Sequence, residues 1–361
     1  MELGISVIIC TYNGARLLPK TLKHLAQQQV RDDVKWEVLV IDNASTDNTQ
    51  IVIRDVWADG KSTVPLTVLY QANPGLSHAR HMALENAAYE FVLFCDDDNW
   101  LAPTYVNNAY DLMVRHPDVG VLGGRGELVF ESKVPLWARG HGLFANGPQA
   151  EASGQVHNNV VYGAGCVLRK SAYDKLTKAH FQPLLTDRLG VHLSAGGDYE
   201  LCYNIVLVGY SIWYEDSLRF KHFMPNGRLS WDYTIRLINQ GARSFESIVP
   251  YRIFVNKGAR RKAAFYAFWV LIMASYVLKG SKAILFLVFN AWQKETRDFY
   301  YLKVVSAKAK LMALFPHRVL YANFTKIEKF ARQLRKEPNK VEAKPAEVVD
   351  QPPFSEVYMP M

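Results

Sequence analysis

The chain has 361 residues, 49% of them hydrophobic and 21% charged, with a formal net charge of +8. That apolar fraction excludes a disordered chain, and four cysteines with no Cys-x-x-Cys pair exclude a disulfide scaffold, a zinc ribbon and a thioredoxin-type redox site. The charge is unevenly placed: residues 1–250 are slightly acidic, while 251–340 hold 19 Lys and Arg against 4 Asp and Glu. Such a basic block suits nucleic acid or an anionic membrane, and its other residues decide between them.

The N-terminus, MELGISVIICTYN, has a short apolar run and no basic leader, so it reads as a buried strand and not as a secretory signal. A cytosolic protein is expected. Apolar runs at 5–10, 37–41, 66–70 and 91–95 alternate with segments of helical spacing: Leu18, Leu22, Leu25; Ile51, Val52, Val56; Ala79, Ala83, Ala87. This alternation predicts βαβ units and an α/β, Rossmann-type, mostly parallel sheet with helices on both faces. From 123 to 160 the pattern dissolves into Gly, Pro and polar residues around Trp137, which reads as a long surface connection. Order returns at 163–169. Helices are expected from Ser171 and near Asp198, a short strand at 211–215, a helix over 230–247 and helix through most of 259–337. The expected organisation is a catalytic α/β domain at 1–250, a basic aromatic helical region at 251–337 and a disordered tail at 338–361.

In open parallel sheets, ligands bind outside the carboxyl ends of the strands. Each early strand here ends in polar residues: Thr11-Tyr12-Asn13, Asp42-Asn43-Ala44-Ser45, Gln71-Ala72-Asn73 and Asp96-Asp97-Asp98-Asn99. Single residues of this kind are explained by turns. Three adjacent carboxylates are not, because they repel one another unless a cation or solvent offsets them. On an extended segment Asp96 and Asp98 point to one side and Asp97 to the other, so the outer pair can address one nucleotide–metal complex with Mn2+ or Mg2+. The first turn, TYNGARLL, is neither a dinucleotide fingerprint nor a P-loop, and no zinc-type His spacing or nucleophile elbow is present.

Together, the segments SVIICTYN, DNASTD, NPGLSHAR and FCDDD resemble the successive signatures of family 2 glycosyltransferases, inverting enzymes with the GT-A fold. The resemblance continues through Gly163-Ala164-Gly165 and Gly196-Gly197-Asp198-Tyr199-Glu200-Leu201, to about residue 240. It implies a nucleotide-sugar site at Thr11, Tyr12, Asn13, Asp42, Asn73, Arg80, Asp96 and Asp97, favouring a UDP- or GDP-sugar. Tyr12 would pack on the base, Asp42 would accept from its imide, and Arg80 would hold the diphosphate. Asp96 would meet the ribose or the metal and Asp98 would bind the metal directly, and His222 follows the last strand as a family metal ligand would, though a structural His fits there too. Asp198 is the implied catalytic base. Family members often carry Glu-Asp here, and this chain has Gly197-Asp198; an Asp opening a helix is also an ordinary N-cap. Arg228 and Trp231 are expected in a loop that closes over diphosphate or acceptor, and Trp137 is either a sugar platform or a buried anchor.

In the basic block, a 16-residue apolar run at 263–278 is interrupted by KGSK and resumes at 283. A spanning helix needs ~20 apolar residues, and joining both halves would place Lys279 and Lys282 in mid-bilayer at ~3 kcal/mol each. The expectation is an in-plane or shallow helical hairpin on an anionic membrane surface, with a buried dimer or domain face as the alternative. Nucleic acid is not expected, since the aromatics lie among aliphatics. These readings lead to metal-dependent sugar transfer to a glycan or lipid-linked acceptor, at the cytoplasmic face of a membrane. The rivals are a nucleotidyltransferase or phosphohydrolase using the Asp cluster, and a non-catalytic nucleotide-sugar-binding scaffold.

Overall fold

The computed structural model describes residues 1–135, 137, 144–185 and 196–336; the tail expected from 338 lies outside them. Strand β1 (Glu2–Thr11) pairs in parallel with β2 (Trp36–Asp42) on one side and β4 (Tyr89–Phe94) on the other, and β3 (Leu66–Tyr70) adds in parallel beyond β2. Helices α1 (Leu18–Ala26), α2 (Thr49–Asp59) and α3 (Leu76–Asn86) make the crossovers. These strands are apolar on both faces because both faces are covered. Val7, Ile9, Val38 and Val40 meet Leu18, Leu22 and Leu25 of α1, while Ile8, Leu39 and Ile41 meet Ala79 and Ala83 of α3. In α2 the core face is Ile53 and Trp57, and Ile51, expected on that face, is exposed.

Beyond β4 the sheet is mixed. The elements are β5 (Asn99–Leu101), α4 (Tyr105–Arg115), β6 (Val119–Phe130), β7 (Gly154–Gln155), β8 (Val167–Arg169), α5 (Lys170–Lys178), α6 (Gly197–Leu207) and β9 (Ser211–Met224). The strand order is β3-β2-β1-β4-β8-β6-β9-β5, with β7 also on β9. Strand β8 runs antiparallel to β4 and β6, β6 runs parallel to β9, and β5 runs antiparallel to β9. The mostly parallel sheet expected from the alternation therefore holds for β3-β2-β1-β4 and gives way where long strands replace crossovers.

Two of these strands are longer than the pattern predicts. Strand β6 continues through Gly123, Gly124 and Gly126, which read as loop residues. A side chain at Gly124 would collide with the Tyr105 hydroxyl and the Leu218 carbonyl, and one at Gly126 would meet the Ala145 carbonyl and Phe220. The glycines mark close approach inside the sheet, not a turn. Strand β9 is one element of 14 residues, where a short strand and a separate segment were expected.

The C-terminal helices are α7 (Trp231–Arg243), α8 (Phe245–Tyr251), α9 (Lys262–Phe289), α10 (Lys294–Leu314) and α11 (His317–Lys336), with a π-helical turn at Arg252–Asn256. Phe254, Phe265, Leu320 and Phe324 form their shared core, each burial contributing about 2 kcal/mol. Helix α8 runs through residue 250, and Tyr251 stacks on Tyr203 of α6 at 5.6 Å. Helix α9 is continuous through KGSK, so the break expected there is absent and the hairpin turns at 290–293 instead. Lys and Ser are tolerated in helices, one Gly costs about 1 kcal/mol, and Gly280 faces Ala307 of α10 closely.

Candidate active site

The carboxyl ends of β1, β2, β3 and β4 open on one side of the sheet, and their polar residues are tied to one another. Asn13, at φ 53°, donates its N–H to Ser45 Oγ at 2.9 Å and accepts from the Thr46 N–H at 2.8 Å. Asp42 is buried, and its carboxylate accepts from the Ser45 N–H at 3.1 Å and from Gln50 Nε2 at 2.6 Å. A carboxylate has about four acceptor positions, so these bonds leave capacity for a base imide. Tyr12 is 59% exposed at the mouth, with its ring open to a stacking partner.

Asn43 was not singled out as a site residue, yet it organises the next loop. Its Nδ2 donates to the carbonyl of Asn73 at 2.7 Å and its Oδ1 accepts from the Gly75 N–H at 2.7 Å. Gly75, at φ 132°, opens α3 in a conformation that disfavours any side chain. Its position directly after Asp42 was the available signal. Asn73 itself is exposed, and Arg80 sits one turn into α3 with its guanidinium over the Phe94 ring at 5.5 Å.

The three adjacent carboxylates go to different places. Asp97 accepts from Thr11 Oγ1 at 2.7 Å, a contact for which Gly14 must lack a side chain. Burial first, and the charge of Asp98 second, push the Asp97 pKa up to about 7. Asp98 is only 2% exposed, and Arg228 Nη1 lies 2.6 Å from its Oδ2, while Asn99 Nδ2 donates to Oδ1 at 2.8 Å. His222 Nε2 stands 3.6 Å from Oδ1, and its Nδ1 lies 3.1 Å from the Ala145 carbonyl. The pairing of β5 on β9 sets this up, because Asn99 is opposite His222 in the register. The chain then leaves β9 through a 3₁₀ turn, Asn226–Leu229, that brings Arg228 back to Asp98. Burial opposes charge on both partners, but their mutual contact outweighs it, so the Asp98 pKa is lowered and the His222 pKa raised. The charge of Asp96 acts on both His222 and Arg228.

These residues fit a divalent cation in part. Among the described residues no three His, Cys, Asp or Glu side chains form a ready metal cage. The gap of 3.6 Å between Asp98 Oδ1 and His222 Nε2 is too long for a hydrogen bond. A carboxylate and an imidazole facing each other, with Asp96 at the same exit, make an oxygen–nitrogen donor set that suits Mn2+ once substrate phosphates supply the remaining ligands.

Asp198 is the second residue of α6, and the N-cap position belongs to Gly196 at φ 108°. Asp198 Oδ2 accepts from the Gly163 N–H at 2.8 Å. A side chain at Gly163 would lie 3.4 Å from Arg80 Nη2 and 3.6 Å from Asp198 Oδ2, so both groups converge on this glycine. The Cys166 thiol, whose pKa burial pushes up to about 12, feels Arg80, Asp198 and Asp96 together. Gly165, at φ 69°, packs against Phe220, and its carbonyl accepts from the Tyr105 hydroxyl at 2.6 Å.

Glu200 takes no part in this convergence. It is buried on the other side of α6, accepting from the Leu184 N–H at 2.7 Å, the Leu185 N–H at 3.0 Å and the Tyr251 hydroxyl at 3.2 Å. Glu200→Gln turns one acceptor into a donor facing a backbone N–H. It is expected to lower unfolding free energy by about 2 kcal/mol in urea titrations and leave nucleotide-sugar affinity unchanged.

Beside the Arg228 turn, Trp231 meets Trp137 edge to face at 5.1 Å and stacks on Tyr301 of α10 at 5.9 Å. A cavity of about 500 Å³ opens here, lined by Trp231, Leu287, Val288, Ala291 and Tyr301 together with the charged Arg297 and Asp298. Trp137 also packs with Val134, Met224 and Leu229, so it is half-buried in a cluster beneath the turn.

Residues 6–177 match the family model described as Glycosyl transferase family 2. The chain is 30% identical over 124 residues to the chondroitin synthase of Escherichia coli, covering 34% of this chain and 17% of that one. It is 31% identical over 111 residues to the poly(ribitol-phosphate) beta-N-acetylglucosaminyltransferase TarS of Staphylococcus aureus, covering 31% and 19%. The matched segments thus span less than a fifth of either relative. Among solved structures, the mannosyltransferase PcManGT from Pyrobaculum calidifontis, in complex with GDP-Man and Mn2+, shares the fold with a TM-score of 0.54 at 19% identity, covering 86% of this chain and 88% of that one.

Proposed function

We propose, from the match of residues 6–177 to the Glycosyl transferase family 2 model, that the protein moves a sugar from a nucleotide-diphosphate sugar to a hydroxyl of a glycan or lipid-linked acceptor, with inversion at the anomeric carbon. The observation that carries this reading is the convergence of Asp198 and Arg80 on Gly163, where Asp96 acts with them on the Cys166 thiol.

In this reading Tyr12 and Asp42 receive the base and Arg80 neutralises diphosphate oxygens. Asp198 accepts the acceptor's proton as the hydroxyl attacks from the face opposite the nucleotide. The Gly163 N–H bond holds the Asp198 carboxylate in place for that transfer. Asp96, Asp98 and His222 would hold a divalent cation, which when bound supplies positive charge for the departing diphosphate. Arg228, paired with Asp98, would add a second positive charge there. The acceptor in this reading belongs to assembly of cell-surface polysaccharide or glycolipid at the cytoplasmic face of a membrane.

The test is a thermal-shift panel of UDP-, GDP- and TDP-sugars with and without Mn2+, followed by transfer assays with the donor that binds. One donor is expected to raise the melting temperature, more so with Mn2+. Donor hydrolysis independent of any acceptor would point to a phosphohydrolase. Metal-dependent binding with no turnover of any donor would leave a nucleotide-sugar-binding scaffold.

A further inference from the structure

The outward side of α9 is apolar along its length. Val270, Leu271, Val277, Leu278, Ile284 and Leu285 are 50–70% exposed. At about 100° per residue they share one face of the helix, opposite Phe265 and Ala283, which are its buried residues. The face runs on to Val288, a stripe about 27 Å long, and Trp292, 77% exposed, follows in the turn after the helix. Soluble monomers rarely leave a contiguous apolar surface of that size open.

Charge says what covers it. Between residues 251 and 294 the chain has eight Lys and Arg and no Asp or Glu. Lys282 borders the stripe, its ammonium group 5.9 Å from the Phe286 ring centre, and Lys279 lies further round the same side, 5.0 Å from the Tyr276 ring centre and near Lys310 of α10. Long basic side chains lying along apolar surface in this way keep their charge at the water boundary. A second copy would present the same basic edge to its own likeness, with no acid on the helix to offset it. An anionic lipid surface is complementary to both the stripe and its edge.

The helix has the length and composition to cross a bilayer. Its inner face, however, packs on α10, which carries Arg297, Asp298, Lys303 and Lys310. A crossing would carry those charges into hydrocarbon. We propose that α9 lies in the plane of an anionic bilayer, its outward face at the acyl boundary and Lys282 among headgroup phosphates, with Lys279 adding to the positive field above them. This surface does not depend on the transferase reading.

Flotation of the full chain with phosphatidylcholine vesicles, with and without phosphatidylglycerol, tests it. The protein is expected to float with the mixed vesicles and far less with phosphatidylcholine alone. Leu278→Glu combined with Leu285→Glu should cut the bound-to-free ratio by at least about tenfold. Both sites are exposed, so melting temperature should hold. Lys279→Gln with Lys282→Gln gives an independent arm, with a loss of about tenfold on mixed vesicles only. Equal flotation with neutral vesicles, or resistance to alkaline extraction, would overturn the proposal. So would a wild type that ignores vesicles but forms a dimer that the Leu278→Glu, Leu285→Glu variant loses. Nucleotide-sugar binding is not read in any arm, so failure here leaves the proposed transfer standing.

Discussion

Asp198→Asn is expected to reduce sugar transfer by at least ~100-fold while leaving the melting temperature and the affinity for donor nucleotide near those of the wild type. The substitution separates two roles of one side chain. An Asn oxygen still accepts from the Gly163 N–H, which Asp198 holds at 2.8 Å, so the bond that ties α6 to the 163–165 segment survives. The N-cap is also untouched, because Gly196 occupies it. What Asn cannot do is take a proton from an attacking hydroxyl, a role worth ~10²–10⁴ in rate. Single-turnover transfer with saturating donor is the deciding measurement, set beside Glu200→Gln, whose folded fraction should transfer normally. Full transfer by Asp198→Asn would reduce Asp198 to a brace for Gly163. Loss in Glu200→Gln with retention in Asp198→Asn would mean that the base is the wrong carboxylate.

Asp98→Ala is expected to destabilise the metal-free protein by about 2–3 kcal/mol and to abolish any Mn2+-dependent gain in nucleotide-sugar affinity. At the exit of β4 this residue reads as an accessible metal ligand, removable without harm to the fold. The structure corrects that view: Asp98 is 2% exposed and is the counter-charge of Arg228 and His222. Breaking a buried pair from one side costs about 3–5 kcal/mol. The lower figure applies because the Arg228 side chain is 30% exposed and can turn to water.

The cost should depend on pH. The His222 pKa is raised above the ordinary 6.5, so its pairing with Asp98 stabilises fully below that value and fades as pH rises through the raised one. The Asp98 pKa is lowered from 3.8, so its contribution is present above that value and fades as pH falls through the lowered one. Urea titrations in chelator should therefore show a larger loss from Asp98→Ala at about pH 5.5 than above the raised His222 pKa, where the Arg228 and Asn99 contacts remain. An equal loss at both would mean that His222 carries no charge beside Asp98.

The amino-acid sequence by itself determined the parallel half of the sheet, its two covered faces and the polar strand exits. These are local properties: Val7, Ile8 and Ile9 alternate faces whatever happens elsewhere in the chain, and Asp42 ends β2 while Asp96 follows β4 by two residues. The basic, apolar character of 251–294 is equally legible, since it is composition. Only the tertiary structure decided how the charges divide. Thr11 takes Asp97, Arg228 takes Asp98 from 130 positions away, and Glu200, two residues from Asp198, turns to the Leu184 and Leu185 amides. Those partnerships rest on the register of β5 against β9 and on the rotation of α6, which long-range packing sets. The glycines of β6 misread for the same reason: a glycine needed for a turn and one needed for close contact are identical in sequence, and only the neighbour that would strike a side chain tells them apart.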